Sequence, residues 1–183
     1  MTKRVLVPVA DGIEEIEAVC IIDTLRRAGA EVTVAAVGER QITASRGVKI
    51  VADCLLADCE SETYDLIALP GGMPGAEQLR DSDMLRRMLT SHVQQRRLYG
   101  AICAAPAVVL QHYGLLSGRC ATCHPHFANH LDSPSGLQQR VVVDGLCVTS
   151  QGPGTALEFA LALVEILFDK ETAQTVADPM ILP

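Results

Sequence analysis

Leu98-Tyr99-Gly100-Ala101-Ile102-Cys103-Ala104-Ala105-Pro106 decides how this chain is read. An apolar run, 98–102, ends abruptly in a thiol, and a helix-like stretch begins at once. The run reads as a buried strand and residues 104–112 as a helix ended by Gly114. Cys103 therefore sits on a strand-to-helix turn. There its sulfur lies near the unpaired N–H groups of the following helix, which favour the thiolate. A thiolate is both a nucleophile and an oxidisable centre. The bland alternative is a small core residue, because a lone cysteine in a buried element usually behaves as a hydrophobe.

The pattern repeats outward from this stretch. Short Val/Leu/Ile runs at 5–9, 31–37 and 65–69 read as strands, with helices at 14–28 and 84–95. In the first helix Ile16, Val19, Cys20 and Ile22 are expected on the apolar side, with Gly29 at its end. Residues 41–52 read as a β-excursion turning near Arg46-Gly47. Residues 140–143 and 146–149 read as a hairpin around Asp144-Gly145. A long helix at 155–168 exposes only the stripe bearing Glu158 and Glu165. An amphipathic turn at 170–177 precedes an apolar tail, 179–183, expected to dock on the domain or on a partner. Near-continuous apolar strands alternating with helices predict an α/β fold, a mostly parallel sheet covered on both faces. No repeat, linker or low-complexity segment divides the chain, so residues 1–183 read as one domain.

Composition narrows the function. The 183 residues include 49% hydrophobic and 20% charged side chains, enough for a sizeable core and against disorder. The net charge of −7 argues against nucleic-acid binding and anionic membranes. Aromatic residues are 3% and Trp is absent, so platforms for stacking bases are scarce. Asp11 and Glu14 follow the first apolar run too soon for a signal peptide or membrane span, and the chain reads as cytoplasmic. Seven cysteines then read as free thiols.

In open α/β sheets, ligands bind beyond the carboxyl ends of the strands. Three such ends carry unusual residues: Asp11-Gly12-Ile13-Glu14-Glu15-Ile16-Glu17, Pro70-Gly71-Gly72-Met73-Pro74-Gly75, and Cys103. If the strands are neighbours, carboxylates, a glycine turn and a thiol share one cleft. Helical spacing puts Glu14 and Glu17 on one side, with Glu15 rotated away. The Gly71-Gly72 turn and the Ala104 N–H can face a developing oxyanion. A buried carboxyl group near sulfur can have a raised pKa and act as acid or base. Each item alone has an ordinary structural reading, a helix-dipole carboxylate or a turn; their joint placement carries the argument.

Cys120-Ala121-Thr122-Cys123-His124 matches the c-type haem attachment pattern. That use requires export, and on a strand Cys120 and Cys123 point to opposite faces and share no ligand. Packing, with a site role for His124, is the better reading. His126 and His130 have no discriminating context. No metal or cofactor is expected.

With these residues in view, the chain resembles the ThiJ/PfpI superfamily, and within it the parkinsonism-associated deglycase branch that includes bacterial YajL-type proteins. The marks are Gly12-Ile13-Glu14-Glu15-Ile16-Glu17-Ala18-Val19, Ser45-Arg46-Gly47-Val48, Leu69-Pro70-Gly71-Gly72, Ala101-Ile102-Cys103-Ala104-Ala105-Pro106 and Thr149-Ser150-Gln151-Gly152-Pro153-Gly154-Thr155. The resemblance implies a flavodoxin-like three-layer sandwich working as a homodimer. It implies that Cys103 is the nucleophile and Glu17 its protonated partner. It also implies that Gly71, Gly72 and Ala104 are oxyanion donors and that His124 is a site histidine. Arg26 and Arg46, with Glu14, would support the pocket or the dimer interface.

Two departures narrow the chemistry. Peptidase-like members place His after the cysteine, where this chain has Ala104. Some relatives carry a second redox cysteine where this chain has Ala44. The expected activity is cofactor-free conversion of α-oxoaldehydes (methylglyoxal to lactate, glyoxal to glycolate) as a glyoxalase III, or the same chemistry on early glycated adducts as a deglycase. The rival is a redox sensor or chaperone whose cysteine is oxidised to sulfinate. A class I amidotransferase-type glutaminase would need a late His-x-Glu motif, which is missing.

Overall fold

Val5, Leu6, Val7 and Val9 are fully buried along β1 (Arg4–Val9), a strand apolar on both faces, as a doubly covered parallel sheet requires. The computed structural model describes residues 2–133 and 135–182. Beside β1 lie β2 (Glu31–Ala36), the two-residue β5 (Cys54–Leu55), β6 (Leu66–Leu69), β7 (Leu98–Ile102), β8 (Val141–Asp144) and β9 (Cys147–Ser150). They form one seven-stranded sheet in the order β5-β2-β1-β6-β7-β9-β8. All pairings in it are parallel except the β8–β9 hairpin at one edge. The excursion at 41–52 is a separate hairpin of β3 (Gln41–Thr43) and β4 (Lys49–Val51).

Helices cover both faces. α1 (Glu15–Arg27) and α4 (Ala156–Leu167) pack together on one side, with α5 (Lys170–Ala177) against α4. On the other side lie α2 (Gly75–Arg80), α3 (Asp83–Gln94) and the helical segment Pro106–Gln111. This is the mostly parallel sheet covered on both faces that the strand pattern predicts, in the flavodoxin-like α/β sandwich that the resemblance implies. The chain order reverses between β1 and β6, so a crevice opens at their carboxyl ends, next to the end of β7.

Three expectations need correction. The helix after Cys103 is shorter than the expected 104–112 and is a π-helix, Pro106–Gln111. π-Turns occur mostly in short pieces at functional sites, and no composition signal marks them. The buried face of α1 carries Glu17, Ala18, Ile21, Thr24 and Leu25, while Ile16 and Val19 are 53% and 51% exposed. Cys20 and Ile22 are half-buried against the core. α1 is apolar around much of its circumference, so the sheet and α4, not the pattern, fix its rotation. Lastly, residues 120–124 do not form a strand. Cys120 N–H donates to Asp144 Oδ2 (2.8 Å) and Thr122 N–H to Thr149 Oγ1 (2.9 Å), so side chains replace a backbone ladder.

The chain's end turns once through Asp178–Met180 and leaves Ile181 89% exposed; Pro183 of the expected apolar tail lies outside the described residues. Among the described residues, no helix is long and apolar enough to cross a membrane.

Candidate active site

Cys103 adopts φ +65°, a left-handed conformation that costs a non-glycine residue free energy and persists only where its surroundings fix it. Its N–H donates to Ser150 O (3.0 Å) at the end of β9, and its carbonyl accepts from His124 N–H (2.8 Å). Those two bonds hold the turn after β7 and bring residue 124, distant in sequence, beside the thiol. Ser150 is itself braced by its hydroxyl contacts to Arg140 O (2.7 Å) and Thr155 Oγ1 (2.6 Å).

Gly71 and Gly72 approach from the end of β6. A methyl group on Gly71 would lie 2.6 Å from Cys103 Cβ and 2.7 Å from Ile102 O. Gly72, at φ +88°, would meet Glu14 N at 2.3 Å. Glycine is required at both because Gly71 packs against the cysteine turn and Gly72 against the backbone of residues 12–14 that leads into α1. Gly71→Ala is therefore expected to lower stability by about 1–3 kcal/mol and to slow alkylation of Cys103 by iodoacetamide, since the thiol turn must shift. Unchanged alkylation together with an unchanged denaturant midpoint would contradict this contact.

Glu17 lies beneath the turn, fully buried on α1. Its Oε2 accepts the Gly71 N–H (2.8 Å), while Oε1 is buried without a hydrogen-bond partner. Burial pushes the carboxyl group up to about 7, against the Gly71 N–H and the Cys103 thiol, which pull it down. The Gly71 N–H is thus already used, and only Gly72 and Ala104 direct N–H groups at the sulfur. This corrects the expectation of three oxyanion donors: Gly71 positions Glu17 instead.

The thiol does not gain acidity from the helix terminus alone. Cys103 is 8% exposed, and burial followed by repulsion from a Glu17 carboxylate pushes it up to about 12, although the Gly72 and Ala104 N–H groups oppose this. The low thiol pKa read from the sequence therefore needs correction. Protonating Glu17 removes the repulsion and leaves the two N–H donors, so the thiolate is favoured only with its acid neutral. The two groups titrate as a pair.

A cavity of ≈ 380 Å³ opens over the sulfur, bordered by Glu14, Arg46, Gly72, Cys103, Ala104 and His124. Glu14 also caps α1, its Oε2 accepting the Glu17 N–H (2.8 Å). His124 Nδ1 accepts the His126 N–H (3.2 Å). Arg26 is not at this cavity; its guanidinium meets Asp53 Oδ2 and Val32 O, both at 3.2 Å, beside the outer strands of the sheet.

Sequence reasoning missed several contributors. Glu15, rotated away from Glu14 and Glu17, is buried and accepts from Ser45 Oγ (3.0 Å) and Arg46 N–H (2.9 Å). It thereby fastens the β3–β4 hairpin over the cavity. Met73, His126 and Phe127 also line the cavity. The carboxylate at 15 could have been noticed as an acid too close to the sheet to be solvated; His126 had no such signal.

A cysteine on a left-handed strand-to-helix elbow, with a buried acid below it, places this molecule among the α/β sandwich proteins with a thiol at the sheet's carboxyl-end crevice. Comparison with known proteins gives the family. The model of the DJ-1/PfpI family matches residues 3–166, and the chain belongs to that family. It is 52% identical over 171 residues to Protein DJ-1 homolog B of Arabidopsis thaliana, covering 93% of this chain but 39% of that protein. The chain thus spans well under half the length of that relative. A solved structure described as "Toxoplasma gondii DJ-1, oxidized" superposes with a TM-score of 0.96 at 52% identity, covering 98% of both chains. A Caenorhabditis elegans protein named "Glutathione-independent glyoxalase DJR-1.2" is 36% identical, covering 97% of this chain and 95% of that one.

Proposed function

We propose that the protein is a cofactor-independent cysteine enzyme of α-oxoaldehydes, acting in the cytoplasm. The observation that carries this is the Cys103 sulfur faced by the Gly72 and Ala104 N–H groups above a buried Glu17 carboxyl pushed up to about 7. The name of the Caenorhabditis elegans relative agrees with it.

In the proposed reaction the Cys103 thiolate attacks the aldehyde carbon of methylglyoxal. The carbonyl π electrons move to oxygen, and the two N–H groups receive the oxyanion. Glu17, neutral while the thiolate forms, first gives its proton to that oxyanion. As a carboxylate it then takes the proton from the carbon and returns it to the neighbouring carbon through an enediol, the hydroxyl proton passing from the first oxygen to the second, leaving a lactoyl thioester. A pKa close to 7 suits a group that must both accept and donate. Water cleaves the thioester, returning the thiol and releasing lactate. His124, at the cavity's edge, assists proton movement. The sum is methylglyoxal plus water to lactate, with no external oxidant or reductant.

The test is lactate formation from methylglyoxal without glutathione. Absence of lactate with the wild-type protein overturns the reading. A deglycase activity is separated by comparing amine release from a pre-formed adduct with the adduct's own dissociation. Release that never exceeds the spontaneous rate excludes it.

The unpartnered Glu17 Oε1 favours a second reading. A proton there can donate to an oxygen added to Cys103, so the site also suits a redox sensor that holds a sulfinate. Intact mass under mild peroxide decides: two oxygens confined to Cys103 support sensing, and oxidation scattered over other cysteines counts against it.

We infer in addition that a second copy covers the face of α1 bearing Ile16 and Val19. Two large apolar side chains half-exposed on one helix are costly in water. Sedimentation is expected to give a dimer for the wild type and a monomer for Val19→Arg; a monomeric wild type removes the inference.

A further inference from the structure

Cys54 and Cys59 belong to neither the cavity nor the chemistry above. Their sulfur atoms are 3.5 Å apart. Among the described residues no other two cysteines are in hydrogen-bond contact. We propose that they form a second redox site, a dithiol that a hydroperoxide closes reversibly to an intrachain disulfide.

The local fold brings the two together. Cys54 begins β5, the short edge strand, opposite Ala35 of β2. The preceding Asp53 fastens this edge by accepting the Val34 N–H (2.9 Å). After Leu55 the chain makes one 3₁₀ turn, Leu56–Cys59, and Asp58 closes it by accepting the Leu55 N–H (3.0 Å). That turn returns Cys59 over Cys54. A disulfide needs the sulfurs about 2.05 Å apart, so roughly 1.5 Å of approach is required, which side-chain rotation can supply.

The two thiols have unequal roles. Cys54 is half-buried at the sheet edge and accessible to a small peroxide; Cys59 is 2% exposed. Burial first, and then the contact with Cys59, pushes the Cys54 thiol pKa up, so the initial oxidation is slow. In that step the Cys54 thiolate attacks the O–O bond and takes one oxygen, giving a sulfenic acid and releasing an alcohol, or water from hydrogen peroxide. Cys59, as thiolate, then attacks the Cys54 sulfur and expels hydroxide, which is protonated to water. Two thiols are oxidised by two electrons, and one peroxide is reduced. The second step is intramolecular and fast, so the sulfenic acid does not accumulate.

The test treats the full chain with hydrogen peroxide, blocks remaining thiols under denaturing conditions and maps the tryptic fragment 50–80. That fragment lies between Lys49 and Arg80 and contains only these two cysteines. The expected fragment is two hydrogens lighter and loses both alkylation sites, which dithiothreitol restores. Cys59→Ser is expected to leave Cys54 as a dimedone-reactive sulfenic acid, and Cys103→Ala to leave closure intact. Retention of both alkylation sites when Cys103 is fully oxidised overturns the proposal. So does accumulation of sulfinic acid at Cys54 in the wild type, or loss of the Cys54 thiol to a different cysteine.

Discussion

Replacing Cys103 with alanine is expected to reduce lactate formation from methylglyoxal at least about 10³-fold, to the uncatalysed background. The sulfur is the atom that the Gly72 and Ala104 N–H groups face, and in the proposed reaction it forms the first bond to the aldehyde carbon. Alanine occupies the same left-handed position with a smaller side chain and keeps the backbone bonds to Ser150 and His124. The fold should therefore survive, and an unchanged circular dichroism spectrum would show that the loss is chemical. Cys103→Ser is the stricter variant. Its hydroxyl is nearly isosteric but a far weaker nucleophile, and full activity in it would sink the thioester mechanism.

Glu17→Gln is expected to abolish turnover while making the protein more stable in mild alkali. The Glu17 carboxyl titrates near 4.5 when unfolded and is pushed up to about 7 in the fold. Between those values the folded state holds more protons than the unfolded state. Stability therefore falls as pH rises from about 4.5 to 7, by about 3 kcal/mol in all, and this loss levels off above 7. The amide carries no charge to bury. It can still accept the Gly71 N–H and direct its NH₂ at the sulfur. Urea midpoints at pH 5 and pH 8 measure the effect: the variant should match the wild type at the lower pH and exceed it at the higher. Equal pH slopes in the two proteins would mean that Glu17 ionises as freely in the fold as in water. Activity is lost because an amide cannot carry a proton between two carbons.

Much of the architecture was legible because its signals are local. β7 spans Leu98–Ile102 as the apolar run predicts, and the turn at Cys103 follows from where that run stops. Cys103, Gly72, Ala104, Glu14, Arg46 and His124 do meet around one cavity. What sequence could not supply depends on contacts between distant segments. The rotation of α1 is decided by α4, so Ile16 and Val19 face outward despite their hydropathy. Whether the Gly71 N–H serves an oxyanion or Glu17 depends on where α1 holds that carboxyl group, a contact between residues 54 positions apart. Glu15 gains its role only because the β3–β4 hairpin folds back over it.

The left-handed backbone at Cys103 has a consequence for how this position changes over generations. The conformation costs a cysteine about 1 kcal/mol and a glycine almost nothing. Selection for thermal tolerance alone would drift residue 103 toward glycine, and the thiol would vanish from lineages that no longer used it. Sulfur at this elbow is thus held against a backbone preference for glycine, a tension that a cysteine on a relaxed backbone would not carry.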